Sequence, residues 1–165
     1  MSEQVRQLLS AHGYVLEDAQ LAGRPVLVGR RKDFRVRWML TQLKTSVLVG
    51  STGHLTPEVW QAFLAEGFQL ASAFKGGLPN GLQSGVGMVA VLACDTVDPA
   101  AAALAEQPAP RSWFTGIGVA AALDRSSGAV HTHDGRVVMG RMYIPFLRAQ
   151  RDLVVGALGS EGLTR

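Results

Sequence analysis

The chain has 165 residues, 47% of them hydrophobic and 18% charged, with a formal net charge of +3. That balance suits one domain with a real core and excludes a disordered tail, which needs far less apolar sequence. A lone cysteine excludes an internal disulfide framework, and no basic start precedes an apolar run, so a reducing, cytoplasmic setting is expected.

Residues 3–12 read as a short helix, because Val5, Leu8 and Leu9 recur at helical spacing and Gly13 stands at its end. Residues 14–17 form a first strand, and residues 25–31 a second with Val26 and Val28 opposite Leu27. A turn is predicted at Lys32 and Asp33, followed by a third strand from Phe34. Its alternation points Phe34, Val36, Trp38 and Leu40 inward, and Arg35, Arg37 and Met39 outward. After a second turn at residues 42–45, residues 46–49 make a fourth strand.

Thr56-Pro57-Glu58 is the strongest helix start. A hydroxyl can cap, proline fits the first helical position, and a carboxylate meets the positive end of the dipole. The helix is expected to reach Lys75, before Gly76 and Gly77. Its apolar residues, Val59, Trp60, Phe63, Leu64, Phe68 and Leu70 among them, wrap widely around the cylinder. Such a helix needs a sheet on one side and a partner element or subunit on the other.

A glycine-rich loop over residues 76–87 follows, in which Gly85 and Gly87 mark either close backbone approach or a bulge, and residues 86–93 make a strand. Asp98 caps, and Pro99 opens, an alanine-rich helix ending near Glu106. The connector 108–110 leads to a strand at 117–123, a turn at 124–128 and a strand at 129–133. Asp134-Gly135 is a hairpin signal, with residues 136–139 pairing back. Residues 145–158 close the domain as a helix, with Phe146, Leu147, Gln150, Leu153, Val154 and Ala157 inward. Arg148, Arg151 and Asp152 are expected in water, and residues 159–165 are expected to fray. Strands come in runs, so the reading is one α+β domain over residues 1–158. It has a mostly antiparallel sheet, a long apolar central helix, a short N-terminal helix and a closing C-terminal helix.

The glycine-rich loop runs from a helix into a strand. That reverses the order that turns a helix N-terminus onto a phosphate, and GxxxxGK[ST] is absent. A nucleotide is therefore not expected, nor any other cofactor. Leu78, Asn80, Leu82 and Gln83 read instead as a contact surface, joined by Trp60 and Phe63 of the apolar helix. His131 and His133, two apart on a strand, project from one face as metal ligands can. Asp134, His54, His12, Asp95 and Cys94 are the candidates for a third ligand. Asp95 and Asp98 flank a strand-to-helix turn, where capping explains at least one of them. GxSxG is absent, and Cys94 reads as a core thiol. Arg30, Arg31, Lys32, Arg35 and Arg37, with Lys44 nearby, form a basic run suited to phosphate, nucleic acid or an acidic partner.

The segments LLSAHGYVLED, GRPVLVGRRKD and WMLTQLK resemble the opening of restriction-endonuclease-like domains. Those place an acidic residue on one strand and an acid or Gln, any residue, Lys on the next. Gln42-Leu43-Lys44 matches the second element, which implies Gln42 at a metal-ligand position and Lys44 as charge stabiliser. Val26 stands where the aspartate belongs and Asp33 falls in a turn, so a Mg²⁺ site lacks its main anionic ligand. The resemblance then implies a non-catalytic nucleic-acid-binding relative. In layout the chain is also similar to type III secretion chaperones, which implies a homodimer packed through the apolar helix with a protein client along the sheet. The sequence thus reads as a non-enzymatic, cytoplasmic protein-interaction domain, homodimeric through the helix that starts after Thr56. Nucleic-acid binding by the basic run is the alternative, and no membrane association is expected.

Overall fold

Long strands with apolar side chains on both faces cannot leave either face to water, and here helices cover both. The structure, a computed structural model, describes residues 3–34, 38, 42–74, 84–109, 116–136 and 141–162. In chain order the elements are α1 (Glu3–Ala11), β1 (Val15–Leu21), β2 (Arg24–Phe34), β3 (Gln42–Leu55), α2 (Pro57–Ala73) and β4 (Ser84–Val97). They continue with α3 (Pro99–Ala105), β5 (Ile117–Asp124), β6 (Val130–Thr132) and α4 (Ile144–Gly162). The fold is α+β, with a six-stranded mixed sheet in the order β1 to β6. Antiparallel pairing joins β1 to β2, β2 to β3 and β5 to β6, whereas β3, β4 and β5 run parallel. The parallel pairs are the ones joined through helices, as such pairs require.

Leu27, Leu43, Val47, Val49, Val89 and Val91 turn to one face, where they meet α1 and α4. Val28, Leu48, Met88, Ala90 and Leu92 turn to the other, under α2 and α3. Local signals set the helix ends as the sequence predicts. Gly13 leaves α1 with φ 77°, Thr56 accepts the Val59 N–H at 3.4 Å, and Asp98 accepts the Ala100 N–H at 3.2 Å. A Cβ on Gly87 would come 2.9 Å from Leu147 Cδ2, so that glycine does mark a close approach, of α4 to β4. Among the described residues, no helix is long and apolar enough to cross a membrane.

Several expectations are corrected. Lys32 and Asp33 are not a turn, and neither are residues 42–45. Lys32 pairs with Lys44 and Asp33 with Leu43, so β2 and β3 form one long hairpin. Neither stretch contains glycine or proline, and cross-strand pairing carries both through as strand. The third strand predicted over residues 34–40 lies outside the described residues, apart from Phe34 and Trp38. Trp38 is buried as predicted and meets the rings of Tyr143 and Phe146 edge-on at 5.2 and 5.3 Å. Phe34, predicted inward, is 57% exposed. At the C-terminal end, helix α4 continues past Leu158 to Gly162, where fraying was expected. Of residues 136–139, predicted to pair back after Asp134-Gly135, Arg136 is not in a strand and residues 137–139 lie outside the described residues.

The central helix is covered by its own chain. Trp60, Phe63, Leu64 and Ala71 are buried, and Val59, Phe68 and Leu70 pack partly against the same core. The exposed large hydrophobic residues among those described are Val15, Phe34, Val130 and Met142, none of them in α2. A Cβ on Gly67 would lie only 2.6 Å from Leu48 Cδ1, so α2 rides low on the sheet. Its apolar width therefore requires no second subunit.

The β1–β2 turn is built on two residues with positive φ, Ala22 at 50° and Gly23 at 70°. This is the twist-matched hairpin geometry that favours Asn-Gly, and alanine there costs about 1–2 kcal/mol. Ala22→Asn is expected to raise the unfolding free energy by about 0.5–1 kcal/mol, and Gly23→Ala to lower it by about 1 kcal/mol. Urea denaturation of the two variants checks both signs.

Candidate functional site

Strand alternation splits the basic run between the two faces of the sheet. Arg31 lies on the α1–α4 side, its guanidinium 4.4 Å from the Tyr14 ring centre and 5.6 Å from that of Phe146. It pairs with Asp33 at 2.9 Å and donates to the His12 carbonyl, while Asp33 also accepts from Thr45 Oγ1 at 3.0 Å. Arg31 is therefore a clamp between β2, α1 and α4. Arg30 lies on the α2 side, over the Phe74 ring at 5.2 Å and paired with Glu17 at 2.6 Å. Arg35 and Arg37 lie outside the described residues.

Phe74 caps the C-terminus of α2, so Lys32 and Phe34 reach past the helix end by roughly 7 and 13 Å along β2. Lys32 is exposed there, directly opposite half-buried Lys44, and Phe34 stands opposite Gln42. Like charges placed opposite each other on a sheet repel, so this end favours negatively charged company. Val15, 75% exposed, pairs with Arg30 on β1 and borders the same area. Phe34 is exposed because β2 carries it past the C-terminal end of α2, on the same face as the buried Val26 and Val28, and no local signal in the sequence shows where that cover stops.

Gln42 and Lys44 do share a face of β3, as the endonuclease-like resemblance implies. Val26 pairs with Gly50, eight residues along β3 from Gln42 and roughly 26 Å away. Asp33 is committed to Arg31 and Thr45 on the opposite face. The strand beside the motif offers Lys32 and Phe34 instead, which cannot hold Mg²⁺.

His131 and His133 do project from one face, towards the end of α3. His131 Nδ1 lies 3.1 Å from Glu106 Oε1, and His133 Nδ1 lies 3.0 Å from the Glu106 carbonyl. The candidate third ligands are elsewhere. Asp134 turns to Arg151, His54 bonds Thr96 at 2.8 Å, His12 bonds the Leu8 carbonyl, and Cys94 is in the core. Asp95 faces Arg125 at 3.5 Å. Among the described residues, no three His, Cys, Asp or Glu side chains come together to hold a metal. The histidines instead tie β6 to α3.

Arg151, expected in water, is only 4% exposed. It donates to Thr132 Oγ1 at 2.7 Å, to Asp134 at 2.9 Å and to Asp152 at 2.8 Å. Arg148 donates to the Gly135 carbonyl at 2.7 Å, so two arginines of α4 hold the segment that follows β6. Nothing in the helical pattern of α4 distinguishes these arginines from solvated ones.

Trp60 and Phe63 are core residues at 2% and 1% exposure, so their ring faces are not free for a partner. Leu78, Asn80, Leu82 and Gln83 lie outside the described residues. The basic end of β1–β3 and the histidines of β6 do not converge, since three strand spacings, roughly 14 Å, separate β3 from β6. Crevices in parallel sheets open where the strand order reverses. Here β3, β4 and β5 step in one direction, with α2 and α3 on the same face. Comparison with known family models, curated proteins and solved structures gives no match for this chain.

Proposed function

We propose that this chain is a non-enzymatic protein-interaction domain whose docking surface is the end of the α2 side beyond Phe74. The observation that carries this reading is the outward Phe34, which with Val15 supplies apolar anchors beside Arg30, Lys32 and Lys44. A partner segment with one apolar anchor and flanking carboxylates fits this arrangement: the anchor contributes affinity, and the charges contribute register and rate. The wide separation of the basic and histidine groups supports a binding role over a catalytic one. A photoreactive phenylalanine analogue at position 34 is expected to give a discrete protein adduct in cells. The same analogue at Val130, exposed on β6, should not, and Lys32→Glu with Lys44→Glu should abolish the adduct at 34. Identical adducts at both positions, or none at position 34, would remove the proposal.

The same Phe34 favours a second reading, single-stranded nucleic acid, because an exposed ring beside two lysines can stack a base and meet its phosphates. In that case the adduct at position 34 is sensitive to nuclease. Oligonucleotide binding then weakens steeply with salt, and Phe34→Ala costs about 1–3 kcal/mol.

A further inference from the structure

We propose that the partner segment binds in extended form, as a strand added along the free edge of β1. This deepens the docking reading above and rests on it. The two edges of the sheet are β1 and β6, and β6 has only three residues, so β1 is the longer one. An edge strand offers unpaired N–H and C=O groups to an extended chain that lies beside it. Proteins block such edges with proline, bulges or charge. Strand β1 has no proline, and its seven residues pair with β2 in unbroken register. Its two charges are neutralised from within the chain, Glu17 by Arg30 at 2.6 Å and Asp18 by Arg6.

The hairpin fixes which backbone groups face outward. Ala22 and Gly23 form a two-residue turn with positive φ, so the flanking pair, Leu21 and Arg24, exchanges both of its hydrogen bonds. Alternation then gives Ala19, Glu17 and Val15 to β2 and leaves Leu16, Asp18 and Gln20 facing away from it. Pro25, opposite Gln20, falls where the nitrogen points away from β1, as suits a residue with no N–H. Among the described residues, no backbone hydrogen bond beyond the β1–β2 ladder reaches Leu16, Asp18 or Gln20. The edge also leads to the docking surface. Val15, 75% exposed, pairs with Arg30, and Lys32 and Phe34 follow along β2. An antiparallel partner, the slightly more stable arrangement, runs from Leu21 towards Val15 and delivers its C-terminal residues there. It lies two strand spacings, roughly 10 Å, from β2, a gap that a glutamate and the Lys32 side chain close between them. The occupant is thus a protein segment of strand-forming residues followed by an apolar anchor between carboxylates.

The test uses an acetylated peptide that alternates threonine with valine and ends in Glu-Leu-Glu, with amide hydrogen exchange of the full chain read by NMR. Saturating peptide is expected to slow exchange at Leu16, Asp18 and Gln20 at least tenfold. Glu17 and Ala19, already bonded to β2, should not change. Asp18→Pro removes an outward N–H without touching the β1–β2 ladder and should weaken the peptide at least tenfold. Asp18→Ala loses the same pairing with Arg6 but keeps the N–H, and should bind as the unaltered chain does. Methylating alternate backbone nitrogens of the peptide removes the same bonds from the partner's side, so a proline variant that fails to fold leaves the test intact. Peptide binding that is lost in Lys32→Glu but gives no protection at the three amides would overturn strand addition and leave the docking surface standing. Absence of saturable binding would also overturn it. So would protection that rises with protein concentration in the absence of peptide, the mark of a second copy on this edge.

Discussion

Replacing both Asp134 and Asp152 with Asn is expected to lower the unfolding free energy by about 3 kcal/mol, although both carboxylates are largely exposed. Their side chains keep 61% and 63% of their exposure, so losing their own charges costs them little. The cost falls on Arg151, whose side chain is 5% exposed and whose charge these two residues compensate. Removing the carboxylates leaves a guanidinium held among Thr132 and the α4 packing with no anion beside it, and a buried charge without its partner is strongly destabilising. Each single substitution leaves one carboxylate in place, so the double effect should exceed the sum of the singles. Adding Arg151→Met to the double variant should restore most of the loss, since an apolar side chain of similar length has no charge to strand. If urea denaturation shows additive singles and no rescue by methionine, Arg151 is not the seat of the effect.

What the sequence made legible depended on whether the determining interaction was local. Caps are local: Thr56, Asp98 and Gly13 act within a few residues, and each does what its side chain and spacing imply. The ends of β2 and β3 are not local. Lys32 to Phe34 and Gln42 to Thr45 are strand because each supplies the other's hydrogen bonds across a hairpin. Continuous strand carries Phe34 along the α2 face beyond the end of that helix, so its exposure depends on where a distant element stops. The apolar width of α2 was visible, but whether that width exceeds what the chain can cover depends on how low the helix rides. Gly67 over Leu48 sets that height. Arg151 was unreadable for a similar reason, because its partners Thr132 and Asp134 come from the far side of the β6 region.

The second large effect is alkaline lability. Between about pH 9 and 12 the denaturant midpoint is expected to fall steadily, after a plateau at lower pH. Burial pushes the Cys94 thiol up to about 12 from its ordinary 9.0, a rise that Arg125 opposes and that Asp124 and Asp95 reinforce. Burial likewise pushes the Tyr14 phenol well above its ordinary 10.0, against the pull of Arg31 and with a push from Asp33. The phenol also donates to Gln150 Oε1 at 2.8 Å, tying the start of β1 to α4. Both groups therefore keep their protons in the folded chain at pH values where the unfolded chain has released them. The native state binds more protons, so stability decreases as pH rises, by about 1.4 kcal/mol per pH unit for each group inside its window. The thiol's window opens first, at about its ordinary value of 9.0, and closes near 12. Cys94→Ala is thus expected to hold the midpoint level for roughly one further pH unit, until Tyr14 begins to contribute. Any packing cost of the substitution is the same at every pH and lowers the whole curve without changing its shape. Urea titrations of both proteins from pH 8 to 12 separate the two terms. A fall between pH 9 and 10 that survives in Cys94→Ala would show that the thiol is not held protonated by the fold.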